Sequence, residues 1–196
     1  MPHLELGDIK SAAKNARLNL QSFAPLVKEG YAVVVPGPTC SYMLKKEYPL
    51  LLESEEANLV AQNCFDASEY LMQLKRQGRL DTNFVAGPGK VAYQFPCHLK
   101  AQGIGYKSRD LMNLIPGTSV QVLENCCGAD GTWSIKKEFF ELSLKVGGRL
   151  FAQIEEAQPA SLVTDCPMAS LQMEQATGIK AVHPMEVLKS AYGLPD

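Results

Sequence analysis

The sequence has no run of apolar residues near the roughly 18 that a membrane-spanning helix requires. Its opening, Met1-Pro2-His3-Leu4-Glu5, lacks the basic and apolar regions of a secretory signal. An excess of one charge is missing too: 19 Lys and Arg stand against 21 Asp and Glu, for a net charge of −2. That balance gives no footprint for nucleic acid or for an anionic membrane surface. Gly87-Pro88-Gly89 and Gly103-Ile104-Gly105 lack the strand–glycine–helix setting and the acidic partner of a dinucleotide fingerprint. No Ser or Cys sits in a recognisable nucleophile elbow. A cytoplasmic chain with no transmembrane segment, no nucleic-acid partner and no catalytic residue of its own is the expectation.

What is present is an ordinary globular composition, 46% hydrophobic and 20% charged, long enough to bury a core. Six cysteines stand out. In a reducing compartment, thiols grouped in motifs are more often metal ligands or redox groups than disulfides. A chain of this length does not need disulfide staples.

The apolar pattern alternates between helix and strand. Asp8 can cap a helix over residues 8–28, in which Ile9, Ala12, Ala13, Ala16, Leu20 and Phe23 recur at helical spacing. Residues 31–35 read as a strand buried on both faces. A helix from Ser41 should stop before Pro49, and residues 53–78 read as two helical pieces that carry Cys64. Strands are expected over 90–95, 119–123, 160–164 and 179–182. Helices are expected over 109–114, 170–177 and 184–192. A long helix is expected over about 132–156, with Ile135, Phe139, Leu142, Val146, Leu150 and Ile154 in steps of three and four. Strands alternating with helices point to an α/β fold around a mainly parallel sheet with flanking helices.

The chain also repeats itself faintly. Residues 31–41 lie on residues 160–170 without a gap, each copy running from an apolar strand into a Pro-containing turn with one Cys. Gly37 then falls opposite Cys166, and Cys40 opposite Ala169.

Four cysteines form a constellation. Cys97 follows Phe95-Pro96 at a strand end, Cys126-Cys127-Gly128 lies between a strand and the long helix, and Cys166 precedes Pro167 at another strand end. In a parallel sheet these carboxyl ends share one edge, so three strands can deliver four thiols to one place. Iron–sulfur clusters are held chiefly by thiolates and offer several coordination points. Adjacent cysteines suit them better than a single zinc ion, which favours Cys-x₂₋₄-Cys spacing. Gly128 and Gly131 permit irregular backbone there, and the following helix should aim its positive end at the thiolates. Cys64 reads as a small buried hydrophobe. His98 and His183 read as structural contacts, with His98 able to tune the site. Trp133, Phe139 and Phe140 read as packing, and Lys136-Lys137-Glu138 as a solvated face.

Pro96-Cys97-His98, Cys126-Cys127-Gly128, Gly131-Thr132, Lys136-Lys137-Glu138, Asp165-Cys166-Pro167 and His183-Pro184 together resemble the cysteine-rich CCG domain. That family includes the cysteine-rich subunit of heterodisulfide reductase, the glycolate oxidase iron–sulfur subunit and an iron–sulfur subunit of anaerobic glycerol-3-phosphate dehydrogenase. Pro38-Thr39-Cys40 and Glu47-Tyr48-Pro49 fit the last of these. The resemblance implies two pseudo-repeated CCG-type halves, the first incomplete. Residues 1–86 would be the remnant of the first repeat plus a helical linker, and residues 87–196 a complete second repeat. It also implies that the chain begins inside the first repeat, without that repeat's leading cysteines or an amino-terminal ferredoxin-like domain. The cofactor implied is an iron–sulfur cluster, [4Fe–4S] in type, on Cys97, Cys126, Cys127 and Cys166, with Cys40 as a further candidate ligand. The function implied is electron transfer within a flavoprotein-linked oxidoreductase. A flavoprotein dehydrogenase would stand upstream and a quinone or other carrier downstream, with membrane association through partner subunits left open. Ala169 stands where the family's second copy ends in a fifth Cys. That departure puts a disulfide-reducing role in doubt. A structural zinc domain and an apo fragment are the remaining alternatives.

Overall fold

The computed structural model describes residues 1–195. A single turn, α1 (Pro2–Glu5), leads to α2 (Ile9–Lys28), whose amino terminus is closed by Asp8 accepting from the Ser11 amide at 3.1 Å. The buried face of α2 is Ala12, Ala13, Ala16, Leu20, Ala24 and Val27; the first four are those read from the sequence, whereas Ile9 is exposed and Phe23 only half-buried.

β1 (Val33–Val35) follows. It is not buried on both faces as expected: Val34 keeps 43% of its surface exposed, and among the described residues β1 pairs with one strand. The chain then stays helical through Pro49. α3 (Pro38–Tyr42) widens into a π-helical turn over Met43–Glu47 and continues as α4 (Tyr48–Leu52). The wider turn accommodates the proline that would clash in a regular helix interior, so the expected stop does not occur. α5 (Glu55–Gln62) precedes β2 (Cys64–Asp66), which pairs parallel with β1. Cys64 therefore lies in a strand and not on a helix, though it is buried as expected. Three residues are too few for a period-2 signal to stand out. α6 (Ala67–Arg76) starts from a capping box between Asp66 and Glu69.

The larger sheet is built from β3 (Lys90–Gln94), β4 (Ser119–Leu123) and β5 (Ser161–Thr164), all parallel in the order β4-β3-β5. α7 (Cys97–Gln102) and α8 (Lys107–Met112) connect the first two strands. After β4 an irregular segment and a short 3₁₀ turn, Lys137–Phe139, lead to α9 (Phe140–Ala157). The long helix thus starts eight residues later than its periodicity suggested, and Ile135, Leu142 and Val146 are exposed, the buried face being Ser143, Gly147, Leu150, Ile154 and Ala157. α10 (Pro167–Thr177) and α11 (Pro184–Ala191) complete the chain. Between them the expected strand over 179–182 is a single parallel bridge from Val182 to Val163.

The architecture is α/β, with parallel strands flanked by helices, in two sheets and not one. In β3 alternation decides the layers: Val91 and Tyr93 pack with Leu111, Met112 and Leu188, while Ala92 packs on the opposite face with Leu150, Ile154 and Leu162. The smaller sheet has its own core of Leu20, Val27, Leu44, Tyr48 and Val60. The halves are joined by Leu71 and Met72 of α6, which pack on the core of the larger sheet, and by polar contacts around α3 and α7. The Gln102 amide donates to the Pro38 carbonyl at 3.2 Å and to the Ser41 hydroxyl at 2.9 Å. No helix among the described residues is long and apolar enough to cross a membrane.

Candidate metal centre

The carboxyl ends of β3, β4 and β5 open on one side of the sheet, and each delivers cysteine. Cys97 is the first residue of α7, directly after Phe95-Pro96 at the end of β3. Cys126 and Cys127 follow β4 by two residues. Cys166 follows β5 and caps α10 with extended dihedrals, φ −99° and ψ 113°. All four line one cavity of about 110 Å³, together with Gln94 and Ala169. A second cavity of about 180 Å³ adjoins it, sharing Cys97, Cys166 and His98 and closed on its other side by Met1, Pro2 and Glu5.

Positive helix ends do face the thiols, but they are not the one expected. α9 begins well beyond Cys127, whereas α7 and α10 begin at Cys97 and Cys166. Burial raises the pKa of Cys166, against the smaller lowering pull of the nearby Ala169 and Met168 amides. Burial also raises Cys97, with Cys166 and Cys126 adding to the rise.

The adjacent pair splits. Cys126 is lowered to about 6, chiefly because the Cys127 thiol donates to it, and the Gly128 amide adds a bond of 3.3 Å. Cys127 is driven far up by that same donation and by burial. One anionic and one protonic sulfur therefore stand side by side in the metal-free chain.

Among the described residues no group of three or more His, Cys, Asp or Glu is gathered closely enough to hold one metal ion. The four thiols share a cavity without sharing a point. Thiolates are the donors that iron–sulfur clusters favour, and such a cluster offers several coordination points. The donor set fits an iron–sulfur cluster.

Cys40 lies outside both cavities, exposed on α3. Its neighbours reach the site instead: Thr39 Oγ1 meets His98 Nδ1 at 2.9 Å, and Tyr42 stacks on the His98 ring at 5.1 Å. His98 is held by the smaller half against the edge of the cavity. His183 takes the structural place expected of it, capping α11 and meeting the Pro36 carbonyl at 3.0 Å.

Two features had no sequence signal. Glu5 accepts from the Thr132 amide at 3.1 Å across 127 residues, and a side chain at Gly131 would strike its carboxylate. Beneath Cys166, Asp165 accepts from Tyr93 and Ser108, each at 2.6 Å, in a wholly buried network that extends through Ser68 toward Asp66.

Residues 91–174 match the CCG family, described as a cysteine-rich domain. Over 193 residues, 97% of this chain and 48% of the relative, the sequence is 32% identical to a subunit of anaerobic glycerol-3-phosphate dehydrogenase from Escherichia coli (strain K12). It is 25% identical over 203 residues to lactate utilization protein A of Oceanobacillus iheyensis, covering 96% of this chain and 79% of that protein. The chain spans about half the length of the glycerol-3-phosphate dehydrogenase subunits it matches.

Proposed function

Residues 91–174 belong to the cysteine-rich CCG domain family, and on that premise we propose that this chain carries an iron–sulfur cluster and passes electrons within a larger oxidoreductase. The carrying observation is the meeting of Cys97, Cys126, Cys127 and Cys166 around one cavity at the ends of three parallel strands. Bound there, the cluster supplies a one-electron relay whose potential follows burial and hydrogen bonding at the sulfurs. A [4Fe–4S] type matches four thiolate ligands.

The chain's own residues set that environment. The amides of Met168, Ala169 and Gly128 face Cys166 and Cys126 and favour thiolate over thiol. Ala169 is 1% exposed and lines the same cavity, so the position where a fifth thiol would stand presents a methyl group. That favours electron transfer over disulfide cleavage. Cys40, outside the cavity, is not needed as a ligand. No residue is assigned a catalytic role.

Similarity to a glycerol-3-phosphate dehydrogenase subunit and a lactate utilization protein supports a place among redox subunits. Electrons would come from a flavoprotein dehydrogenase and leave toward a quinone or another carrier. The location would be cytoplasmic, with membrane association through partner subunits. Residues 1–86 would be part of a first CCG-type repeat plus a helical linker, and residues 87–196 a complete second one. The smaller sheet and the larger one would then be related by duplication.

Anaerobic reconstitution with iron and sulfide tests the reading. The expected product is brown, with iron and sulfide in cluster ratio and an EPR signal on reduction. Replacing any of Cys97, Cys126, Cys127 or Cys166 by Ala lowers the iron content, while Cys40→Ala and Cys64→Ala leave it unchanged. A colourless protein, or one that retains zinc in place of iron, overturns it.

A further inference from the structure

The stretch that leaves the Cys126–Cys127 pair has no regular structure of its own. From Gly128 to Lys136 the backbone is neither helix nor strand. Inside it the Asp130 amide donates to the Ser134 hydroxyl at 3.2 Å, and the Lys136 amide to the Trp133 carbonyl at 3.0 Å. Backbone groups that no ladder satisfies need partners elsewhere. Two holds come from outside the stretch. α9 sets its Ser143 carbonyl against Gly128 so closely that a Cβ there would overlap it. The other hold is Glu5.

Glu5 belongs to the smaller half. Met1 and Leu4 of the same region pack on the core of the smaller sheet, and α1 is tied to the start of α2 by the Asp8 amide, which donates to the His3 carbonyl at 2.8 Å. From there the carboxylate reaches the thiol loop. Its Oε2 accepts from the Thr132 amide at 3.1 Å. A Cβ on Gly131 would lie 2.7 Å from Oε2, 2.8 Å from Cδ and 3.0 Å from Oε1, so the carboxylate rests on the open face of that glycine. Among the described residues Glu5 forms no ion pair. Asp130, a second acid, lines the same cavity. An amide holds this side chain in place, and a cation does not.

We propose that Glu5 is a positioning residue for the cluster site: as a hydrogen-bond acceptor supplied by the smaller half, it fixes the turn at Gly131–Thr132 and, through that turn, the Cys126–Cys127 pair. Thr132 stands five residues beyond Cys127. Gly128 holds the near end of this path on α9, and Glu5 holds the far end, so the backbone leaving the two thiols is pinned at both ends. The same contact joins the halves beside the thiols, because Met1, Pro2 and Glu5 share a cavity with Cys97 and Cys166. Ligands must be held in place before the group they bind arrives, and residues that touch no metal commonly supply that hold. The effect on iron rests on the cluster proposed above; the hold on Thr132 does not.

Glu5 is exposed, so its replacement should leave the chain folded. In the metal-free chain, Glu5→Ala should speed hydrogen exchange at the Thr132 amide about tenfold, the order set by one hydrogen bond to a charged acceptor. Glu5→Gln keeps an acceptor and should hold most of that protection. Gly131→Ala should push the carboxylate aside and speed the same exchange, yet add little in the Glu5→Ala background. After anaerobic reconstitution with iron and sulfide, Glu5→Ala should retain less iron and give an altered EPR signal, whereas Glu5→Gln should match the parent in both. That rescue separates an acceptor from a charge. Unchanged Thr132 exchange in Glu5→Ala overturns the inference. So does a Glu5→Gln protein that fails as Glu5→Ala does, or a Glu5→Ala protein with the parent's iron content and EPR signal. If the parent takes up no cluster, the function proposed above falls by itself, and Thr132 exchange alone decides whether Glu5 holds the loop.

Discussion

The hydroxyl of Tyr93 donates to Oδ2 of Asp165 at 2.6 Å, joining the central strand of the larger sheet to the residue next to Cys166. Ser108 donates to the other oxygen of the same carboxylate, also at 2.6 Å. Asp165 is 1% exposed and Tyr93 is 0% exposed, so neither can exchange its partner for water. Tyr93→Phe leaves the ring in place and the carboxylate one bond short. Hydrogen bonds to charged acceptors are worth about 1.5–3 kcal/mol, and the orphaned oxygen adds to the loss. We expect Tyr93→Phe to lower stability by about 2 kcal/mol in urea unfolding of the metal-free chain. A change within the error of the measurement would mean that Asp165 is neutral or differently satisfied.

Asp66 lies across the same network, and its carboxylate is pushed up to about 7, chiefly by burial and then by the nearby Asp165. One of its oxygens, Oδ2, is buried without a hydrogen-bond partner. The unfolded chain titrates this group near the ordinary value of about 3.9. Between those two values the folded protein binds more protons than the unfolded one. The favourable contribution is therefore complete below about pH 4 and is lost as pH rises through about 7. Asp66→Asn removes the titration while keeping an acceptor for the Ser68 amide, which Asp66 now holds at 3.0 Å. The variant should gain on the parent in melting temperature from about pH 5 to pH 8, by a margin worth a few kcal/mol at the upper end. Parallel melting curves across that range would refute it.

Neither of these acidic residues was legible as a pair in the sequence. They stand in Asp66-Ala67 and Asp165-Cys166, about a hundred residues apart, and nothing local marks either as buried. The capping box from Asp66 to Glu69 could have placed a helix start, but not the carboxylate facing Asp165. What was legible has a local cause. The helix from Ile9 carries its own period and cap, and the strand from Ser119 to Leu123 sits between turn signals. The four thiols were read from motifs at strand ends, and parallel topology alone sends such ends to one edge. The source of the helix dipole was misread because Ile135 and Phe139 continue the period of α9 while the backbone is still turning. Periodicity records which residues could share a face; it does not record whether the backbone is yet helical.

The Cys126–Cys127 pair gives the metal-free chain a reactive thiol at neutral pH. Cys127 donates to Cys126, the Gly128 amide supports it, and Cys126 is exposed. An ordinary thiol gains reactivity up to about pH 8.5, because the thiolate is the nucleophile. Cys126 should instead show a midpoint near 6 and a plateau above neutrality. Iodoacetamide at pH 7, followed by peptide mass spectrometry, should label Cys126 before Cys40, which is also exposed. Cys127→Ala should move the midpoint upward. Faster labelling of Cys40 would show that the pair does not share its proton in this way.

Glycines hold the thiol loop against α9, and two adjacent ones separate close approach from backbone freedom. Gly128 has φ +83°, and a Cβ there would overlap the Ser143 carbonyl of α9. In return, a Cβ at Gly147 would lie 2.5 Å from the Cys127 carbonyl and overlap the Phe151 ring. A ring can swing aside, but the Cys127 backbone carbonyl cannot move without carrying the Cys127 thiol with it. Gly148, one residue on in the same helix, would meet nothing within 4 Å. Glycine inside a helix costs about 0.5–1 kcal/mol relative to alanine. Gly148→Ala should therefore stabilise the chain by about that amount. Gly147→Ala gains the same helical preference but must displace the loop, and overpacking of this kind typically costs about 1–3 kcal/mol. It should come out destabilised in urea unfolding and, if Cys127 is the ligand proposed, should take up less iron on reconstitution, because the displaced carbonyl belongs to that residue. Equal effects from the two alanines would mean that α9 and the thiol loop do not touch backbone to backbone.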